Sequence, residues 1–356
     1  MIIYWALLLI PMSFIFHPVR TDAKLRTLIF WLTGAALVLI IGLRHDVGGD
    51  WDRYISIYSY HQGIDLDFSG FTSGDYGYET IHWFSLNYLN GIYSTNLISA
   101  IFFVFGLVRF CRIMPLPWVA LFVSVHFLVI VVSMGYTRQS VAAGFLLWGL
   151  VDLIKGSVWK FYISMLMGAL FHKTLMLMIP IGYIYNARKF YFFESVSFFF
   201  ILLMSVYFLF ADKVAHMYYY YIEIKYHHSS GALVRVFMSF VSAIIFFIYR
   251  DKFKKKFGDE KLWLIFSLVS IALLPASYFY STFTDRIAIF FIPLQIAVLS
   301  RVPVLIGSVY NRTIFVVSTV VVYISALYVW LNFGNHSNNW LPYQNILFLN
   351  NDGHKS

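Results

Sequence analysis

The chain has 356 residues, of which 60% are hydrophobic and only 12% are charged, and its mean hydropathy is +0.73. Soluble domains carry about 25% charged residues, so this composition excludes a soluble protein and indicates an integral membrane protein. The net charge of +9 reflects orientation in the membrane rather than nucleic-acid binding, and the single Cys111 excludes an internal disulfide and a cysteine metal site.

Apolar runs that could cross a bilayer as helices of about 17–25 residues recur along the whole chain. The first run, residues 2–16, has neither a basic start nor a small-residue cleavage site, so we expect a retained span rather than a signal peptide. Residues 161–171 and 174–187 are short enough to form either two spans or one re-entrant hairpin, and residues 81–90 either begin a span or lie at the interface before it. The sequence predicts about 12 spans, at residues 2–16, 27–43, 81–108, 118–134, 139–154, 161–171, 174–187, 193–210, 232–249, 262–283, 287–300 and 313–331.

The distribution of lysine and arginine sets the orientation of these spans. Loops on one side of the membrane hold 17 of the 26 basic residues, and such an excess is typical of cytoplasmic loops. The run from Arg250 to Lys256 is the clearest example. We therefore expect the first long loop, about residues 44–80, to lie outside the membrane. The predicted cytoplasmic loops are 17–26, 109–117, 155–160, 186–192, 250–261 and 301–312.

Ionisable residues beside the hydrocarbon are costly to place and are therefore candidates for function. The densest group runs from Arg44 to Tyr54, directly after an apolar run. Arg138, His172 and Arg286 follow at the ends of other predicted spans, on the same outer side. The polar residues predicted on this side are Arg44, Asp46, Asp50, Asp52, Arg53, Glu79, Arg138, Gln139, His172, Lys173, Arg235, Asp285 and Arg286.

Arginine outside the membrane opposes the usual charge bias and needs a reason. Its guanidinium stays charged and matches phosphate oxygens in a bidentate way. We expect Arg44, Arg138 and Arg286 to converge as a cradle for a phosphate or pyrophosphate. Arg53 and Arg235 fit equally well as paired structural residues. Secondary substrate contacts are expected from Tyr54, Gln139, Lys173, Arg235 and Asp285.

Three residues are candidates for a catalytic base: Asp50, Glu79 and His172. A carboxylate or an imidazole near a dry, charged cavity has a tunable pKa and can accept the proton of a hydroxyl nucleophile. Each has a structural alternative, since Asp50 could pair with Arg53, Glu79 could favour a helix start and His172 could bind a carbonyl. The sequence leaves the three candidates open. It contains no nucleotide-binding loop and no metal-ligand spacing, so we expect no cofactor and no metal.

Several short motifs occur in order along the chain: Gly42-Leu43-Arg44-x-x-Val47-Gly48-x-Asp50-x-x-x-Tyr54, Gly77-Tyr78-Glu79, Thr137-Arg138-Gln139-Ser140-x-Ala142, Phe171-His172-Lys173-Thr174, Asp285-Arg286 and Trp340-x-Pro342-Tyr343-x-Asn345. Their order and topology resemble the EpsG-like, Wzy-type oligosaccharide-repeat polymerases over about residues 1–346. The chain has His45-Asp46 and Gly49 at positions that we expect to vary, and Thr174 where a small Ser is usual.

This resemblance implies an all-α polytopic membrane protein of GT-C-like architecture, with one transmembrane domain over residues 1–331 and an extracytoplasmic tail over 332–356. It implies a glycosyltransferase in the bacterial inner membrane that faces outward and joins repeat units carried on undecaprenyl diphosphate. Arg138 and Arg286, with Arg44, would hold the diphosphate, and Asp50, Glu79 or His172 would be the base. The implied partners are the lipid-linked glycan donor and acceptor, the lipid membrane and a chain-length regulator, without nucleic acid.

Two other classes of membrane protein fit the composition. A flippase or transporter for lipid-linked oligosaccharides would place charges near the middle of the bilayer and use broken helices. A membrane glycan acyltransferase would need a route for a cytoplasmic acyl donor. The predicted charges lie at the outer rim and the cytoplasmic loops offer mainly basic anchors, so the sequence favours a polymerase.

Overall fold

The computed structural model describes residues 1–17, 22–61, 75–187, 231–279 and 281–349, without the side chains of 58–61. Helices dominate these ranges, and the two strands are each two residues long. The helices are α1 Ile2–Phe16, α2 Ala23–Gly42, α3 Trp51–His61, α4 Tyr76–Tyr88, α5 Gly91–Arg112, α6 Pro117–Gly135, α7 Thr137–Ile154, α8 Val158–Ala169, α9 Ile179–Asn186, α10 Ala232–Lys256, α11 Glu260–Phe279, α12 Ser281–Ala288, α13 Pro293–Arg301 and α14 Val309–Phe333.

Six of the described helices are long and apolar enough to cross a membrane: α2, α5, α6, α10, α11 and α14. A seventh crossing is the pair Ser281–Phe291 and Pro293–Leu305, if this pair, which bends by 45°, is one span. The structure therefore confirms a polytopic α-helical membrane protein. The predicted span at 193–210 lies outside the described residues.

The remaining predicted spans correspond to shorter helices. The helix α1 has 15 residues, α8 has 12 and α9 has 8, whereas a straight crossing needs roughly 20. A 3-10 helix, Lys173–Met178, joins α8 to α9. The lengths of α8 and α9 leave both alternatives open, two spans or one re-entrant hairpin.

Helix α6 is the centre of the described bundle. In its most apolar stretch of 18 residues 89% of the residues are buried, against 28% in α2 and α14. Its middle, Val125–Val132, is π-helical. It packs against α1, α5 and α13. On one side of it α5 packs against α2 and α7, and α7 against α8; on the other side α10 packs against α11, α12 and α13.

The predicted span at 81–108 divides into two helices. Helix α4 ends at Tyr88 and α5 begins at Gly91, so residues 81–90 do not continue the span. On α4 the buried residues Tyr78, Glu79, His82 and Ser85 recur at intervals of one to four positions, which places them on one face of the helix. This polar face packs against the start of α5, where Thr95 Oγ1 lies 3.5 Å from His82 Nδ1.

A small antiparallel sheet, which the sequence did not predict, ties the C-terminal residues to the end of α2. Strand β1, Arg44–His45, pairs with β2, Gln344–Asn345, in the register Arg44 to Asn345. The sheet is extended by a bond from the Ile346 amide to the Leu43 carbonyl at 2.9 Å. Residues 340–346 of the predicted tail are therefore attached to the helical bundle.

Two salt bridges mark one end of the bundle. There Arg109 binds Asp152 at 2.9 Å, and Arg301 binds Asp259 at 2.7 Å. The other end carries the starts of α5 and α7, which at 1.5 Å per residue lie about 20 Å away. The candidate residues Arg44 and Arg138 are at that second end. We call it the site end.

Candidate functional site

Three segments that are distant in sequence meet at the carboxylate of Asp75. Asp75 lies at the N-cap of α4, and Arg138 is the second residue of α7. Arg138 Nη1 donates to Asp75 Oδ2 at 2.7 Å, and His172 Nδ1 lies 4.0 Å from the same oxygen. The second distance is longer than a hydrogen bond, so the imidazole lies beside the carboxylate without being fixed by it.

The carboxylate of Asp75 is strongly stabilised in its charged form. The side chain is buried, and burial acts to raise its pKa, but three neighbours outweigh that effect. These are His172, the guanidinium of Arg138 and the backbone N–H of Lys173, which donates to the carboxylate. The pKa of Asp75 is therefore below its usual range, and Asp75 is a permanent anion between a cation and an imidazole at neutral pH.

A second carboxylate, Asp50, lies next to this group and behaves in the opposite way. It is half-buried directly before α3, and Tyr54 lies one turn further along the chain. Tyr54 is 2% exposed, and the charges of Asp50 and Arg138 both act on its hydroxyl. Burial raises the pKa of Asp50, although the charges of Arg53, Arg138 and Arg286 partly oppose the increase.

The backbone of Arg286 and the start of α7 are joined by Gln139. The Gln139 side chain is buried, and its Nε2 donates to the Arg286 carbonyl at 2.7 Å. The Arg286 side chain itself is exposed, and its charge acts on Asp50. Gln139 therefore brings the Arg286 backbone to the start of α7, and the charges of two of the three predicted cradle arginines, Arg138 and Arg286, act on the same carboxylate.

Arg235 and Asp285 form a pair beside Arg286. Both Nε and Nη2 of Arg235 donate to the two carboxylate oxygens of Asp285, and the guanidinium carbon lies 4.8 Å from the centre of the Phe127 ring. The fork of hydrogen bonds and the aromatic face fix the direction of both side chains. This geometry matches the structural alternative for Arg235.

Arg44 lies beneath the site. It is 1% exposed, and its burial lowers its pKa to about 10, so it remains charged at neutral pH. Its donors bind the carbonyls of Val47 at 3.2 Å and Ile41 at 2.7 Å. They also bind Asn96 Oδ1 at 3.1 Å and Thr137 Oγ1 at 2.8 Å. Arg44 therefore connects β1 to the starts of α5 and α7 and presents no surface to a bound phosphate in this structure.

The remaining predicted site residues lie around Asp75. Glu79 is one turn further along α4 and is 5% exposed. The neighbouring Tyr78 is 2% exposed, and its ring centre is 5.5 Å from that of Tyr54. Lys173 is half-buried directly after His172. Glu79 is therefore deeper than the two other candidate bases, which are both half-buried.

Asp75 was missing from the residues selected by sequence. The available signal was its place before a helix start, where aspartate often caps the free backbone amides. Here the side chain makes no capping hydrogen bond, so its carboxylate is directed to Arg138. Across the described residues, His, Cys, Asp and Glu side chains form no group of three or more that could hold a metal ion.

The arrangement provides cationic groups beside an imidazole, on a common framework of α4, α7 and α12. Such a site can bind an anionic leaving group and accept a proton from a nucleophile. Comparisons with known proteins point the same way. The model of the EpsG family matches residues 27–345, a range that includes every candidate residue. Searches of curated proteins and of solved structures returned no match. EpsG is a Wzy-like polysaccharide polymerase family, and this chain belongs to it.

Proposed function

We propose that the protein joins oligosaccharide repeat units carried on undecaprenyl diphosphate, at the outer face of the bacterial inner membrane. The family supplies the class of polymerase. One observation carries the finer proposal: the charges of Arg138 and Arg286 both act on Asp50, next to the His172–Asp75 pair. A diphosphate bears its charge on oxygens that guanidinium groups recognise well. The substrates would be a lipid-linked donor and a lipid-linked acceptor, with a chain-length regulator as a further partner.

The leaving group would be held by Arg286, with Arg138 behind it. As the bond between the anomeric carbon and the diphosphate oxygen breaks, the electron pair leaves with the diphosphate. Guanidinium groups fixed in place stabilise that developing charge without reorganisation in the transition state. Arg53 and Lys173 lie on the same rim and add positive charge. Because these side chains supply the charge that a metal would otherwise provide, we propose a reaction that needs neither metal nor nucleotide.

The base would be His172. In a single displacement the acceptor hydroxyl attacks the anomeric carbon from the face opposite the leaving group, which inverts the configuration. Asp50 lies within the field of three arginines, on the side assigned to the diphosphate. His172 lies beside Asp75, whose negative charge would stabilise the protonated imidazole as it takes the hydroxyl proton. Asp50 would then hold Tyr54 and the arginines in place, and Arg44 would be a structural support.

The complete architecture would have about 12 crossings of GT-C-like type. The six or seven candidate spans of the described residues contribute the longest of these. The shorter α1, α7, α8 and α9, with the predicted span at 193–210, would supply the rest. The site end would face outward, because the opposite end carries the basic run from Arg250 to Lys256, which the charge bias places in the cytoplasm.

Replacement of Arg286 tests this function directly. In cells that make the cognate repeat unit, Arg286→Ala should leave single repeat units on the lipid or its final acceptor, while Arg286→Lys should retain short chains. The matched control is Arg312→Ala, since Arg312 is also exposed but lies at the other end of the bundle. Normal long chains from a folded, inserted Arg286→Ala variant would overturn the assignment.

A further inference from the structure

The residues after α14 return to the site end and insert one indole into the bundle. Trp340 is 2% exposed, and its Nε1 donates to the Ile130 carbonyl at 2.9 Å. Ile130 belongs to the π-helical part of α6. The Trp340 carbonyl accepts the Tyr4 hydroxyl at 2.5 Å, and the Trp330 ring packs edge-on at 5.3 Å. The indole is therefore fixed on several sides.

The benzo edge of this indole faces the turn that leads to Asp50. The Gly48 amide donates to the carbonyl of Asn339, the neighbour of Trp340, at 2.8 Å. Gly48 has φ of 113°, a conformation that side chains disfavour. A Cβ on Gly49 would lie 3.7 Å from Cη2 of Trp340, which is ordinary contact. The turn is thus supported by the C-terminal segment one residue before Asp50.

The same edge of the indole packs against the end of α6, three residues before Arg138. A Cβ added to Gly135 would lie 2.3 Å from Cζ2 of Trp340, so only glycine leaves space for the ring. The turn also meets the end of α6 directly, since a Cβ added to Gly48 would lie 2.1 Å from the Met134 carbonyl oxygen. The indole therefore lies against the junction where the turn before Asp50 meets the residues before Arg138.

Further bonds hold the segment in register. The Tyr343 hydroxyl donates to the Ile40 carbonyl at 2.7 Å, and β2 pairs with β1. These contacts fix the segment to the end of α2, from which the Asp50 turn begins. Loss of the indole contact would therefore move the turn relative to α7, while the rest of the C-terminal segment would stay in place.

We propose that Trp340 is a positioning residue that holds the turn before Asp50 against the end of α6 and so fixes Asp50 relative to Arg138. The inference rests on the proposed function, because it assigns those two residues to the diphosphate side of the site. Trp340 does not touch the reacting groups. Catalytic groups that are misplaced by about 1 Å can lose roughly 100-fold in rate, so a rigid support that fixes their positions has a direct kinetic effect.

The local effect is read by cysteine labelling, which needs no substrate. Val47 is fully buried in the turn, and Cys111 is the single native cysteine. In full-length protein with Cys111→Ala and Val47→Cys, a maleimide should react slowly. Adding Trp340→Ala should increase the labelling rate by roughly tenfold, because the turn loses its support. The control is Trp118→Ala, which removes an indole that stacks on Phe14 at 4.0 Å elsewhere on α6.

The kinetic effect is measured on otherwise native protein. Trp340→Ala should reduce kcat by roughly tenfold or more and change KM much less, and Trp118→Ala should leave both unchanged. Trp340→Phe keeps a ring but cannot donate to Ile130, and it should give an intermediate kcat; it also serves if the alanine variant fails to fold. Folded Trp340 variants with native labelling, or with faster labelling and native kcat, would overturn the proposal. Failure of the proposed function would appear separately, as native chains from Arg286→Ala.

Discussion

Arg138 and Asp75, 63 positions apart in sequence, are joined by a hydrogen bond of 2.7 Å at the point where α7 and α4 begin. His172 lies 4.0 Å from the same carboxylate oxygen. The contact connects a residue that the sequence marked as functional to one that it did not. The site contains two carboxylates, Asp75 and Asp50, whose pKa values shift in opposite directions.

Because the pKa values of Asp75 and Asp50 shift in opposite directions, removing one charge or the other should have opposite effects on thermal stability. The pKa of Asp75 is lowered in the folded protein, so its contribution to stability is present above the unfolded value of about 3.9 and is lost as the pH falls. Asp75→Asn should therefore melt at a lower temperature than the native protein at pH 7. The difference should shrink below about pH 4.

For Asp50 the sign is reversed. Its pKa is raised in the folded protein, so ionisation costs stability as the pH rises from the unfolded value through the folded one. Asp50→Asn should melt at a higher temperature than the native protein at pH 7, and the gain should disappear below about pH 4. Melting curves of the two asparagine variants across this range provide the measurement. Shifts of the same sign for both variants would contradict the electrostatic account of the site.

Exchange of the candidate bases separates the roles of His172 and Glu79. His172→Gln should reduce kcat by roughly 100-fold or more, which is the usual contribution of a general base. Glu79→Gln should reduce it far less, because Glu79 is 5% exposed and lies one turn beyond Asp75. Single-turnover rates with saturating lipid-linked substrate measure the chemical step. If Glu79→Gln were as damaging as His172→Gln in folded protein, the assignment of the base would be wrong.

Arg44 is predicted to act through the fold. Arg44→Ala leaves the polar groups of Asn96 and Thr137 without their partner, and each such buried group costs about 1–3 kcal/mol. We expect a clear loss of thermal stability, with Arg44→Lys only a partial substitute because lysine lacks the planar fork. Arg53→Ala is the control, since Arg53 is exposed. Native stability combined with weaker substrate binding in Arg44→Ala would instead identify Arg44 as a phosphate contact.

The orientation of the site end is testable without activity. Asp52 and Lys255 are both exposed and lie on predicted opposite sides of the membrane. In Cys111→Ala protein, a membrane-impermeant maleimide added to spheroplasts should label Asp52→Cys and leave Lys255→Cys unlabelled. Labelling should become equal after the membrane is permeabilised. The reverse pattern would place the site in the cytoplasm and exclude an outer-face polymerase.

The sequence was sufficient to predict the helical class and the family, and it selected most residues of the candidate site. Apolar runs predict α2, α5, α6, α10, α11 and α14 because a spanning helix needs a long hydrocarbon-compatible segment. Arg138, His172 and Arg286 are then found at the ends of predicted spans. The number of spans stays a prediction, because α8 and α9 are too short to be counted by length and residues 193–210 lie outside the described part.

Long-range partners could not be read from the sequence. Arg44 and Arg138 look alike, since each stands at the outer end of an apolar run. Only the fold shows that Asn96 and Thr137 occupy the donors of Arg44, whereas Asp75 binds Arg138. Strands of two residues, such as β1 and β2, have no periodic pattern to detect, so the packing of Trp340 against α6 could not be predicted either.

The most direct test of the account uses purified protein in liposomes with one lipid-linked repeat unit and no nucleotide. The account predicts products of two or more repeat units, with release of undecaprenyl diphosphate, and the loss of these products with His172→Gln or Arg286→Ala. Repeat units that only cross the membrane, without elongation by the native protein, would contradict it and identify a flippase.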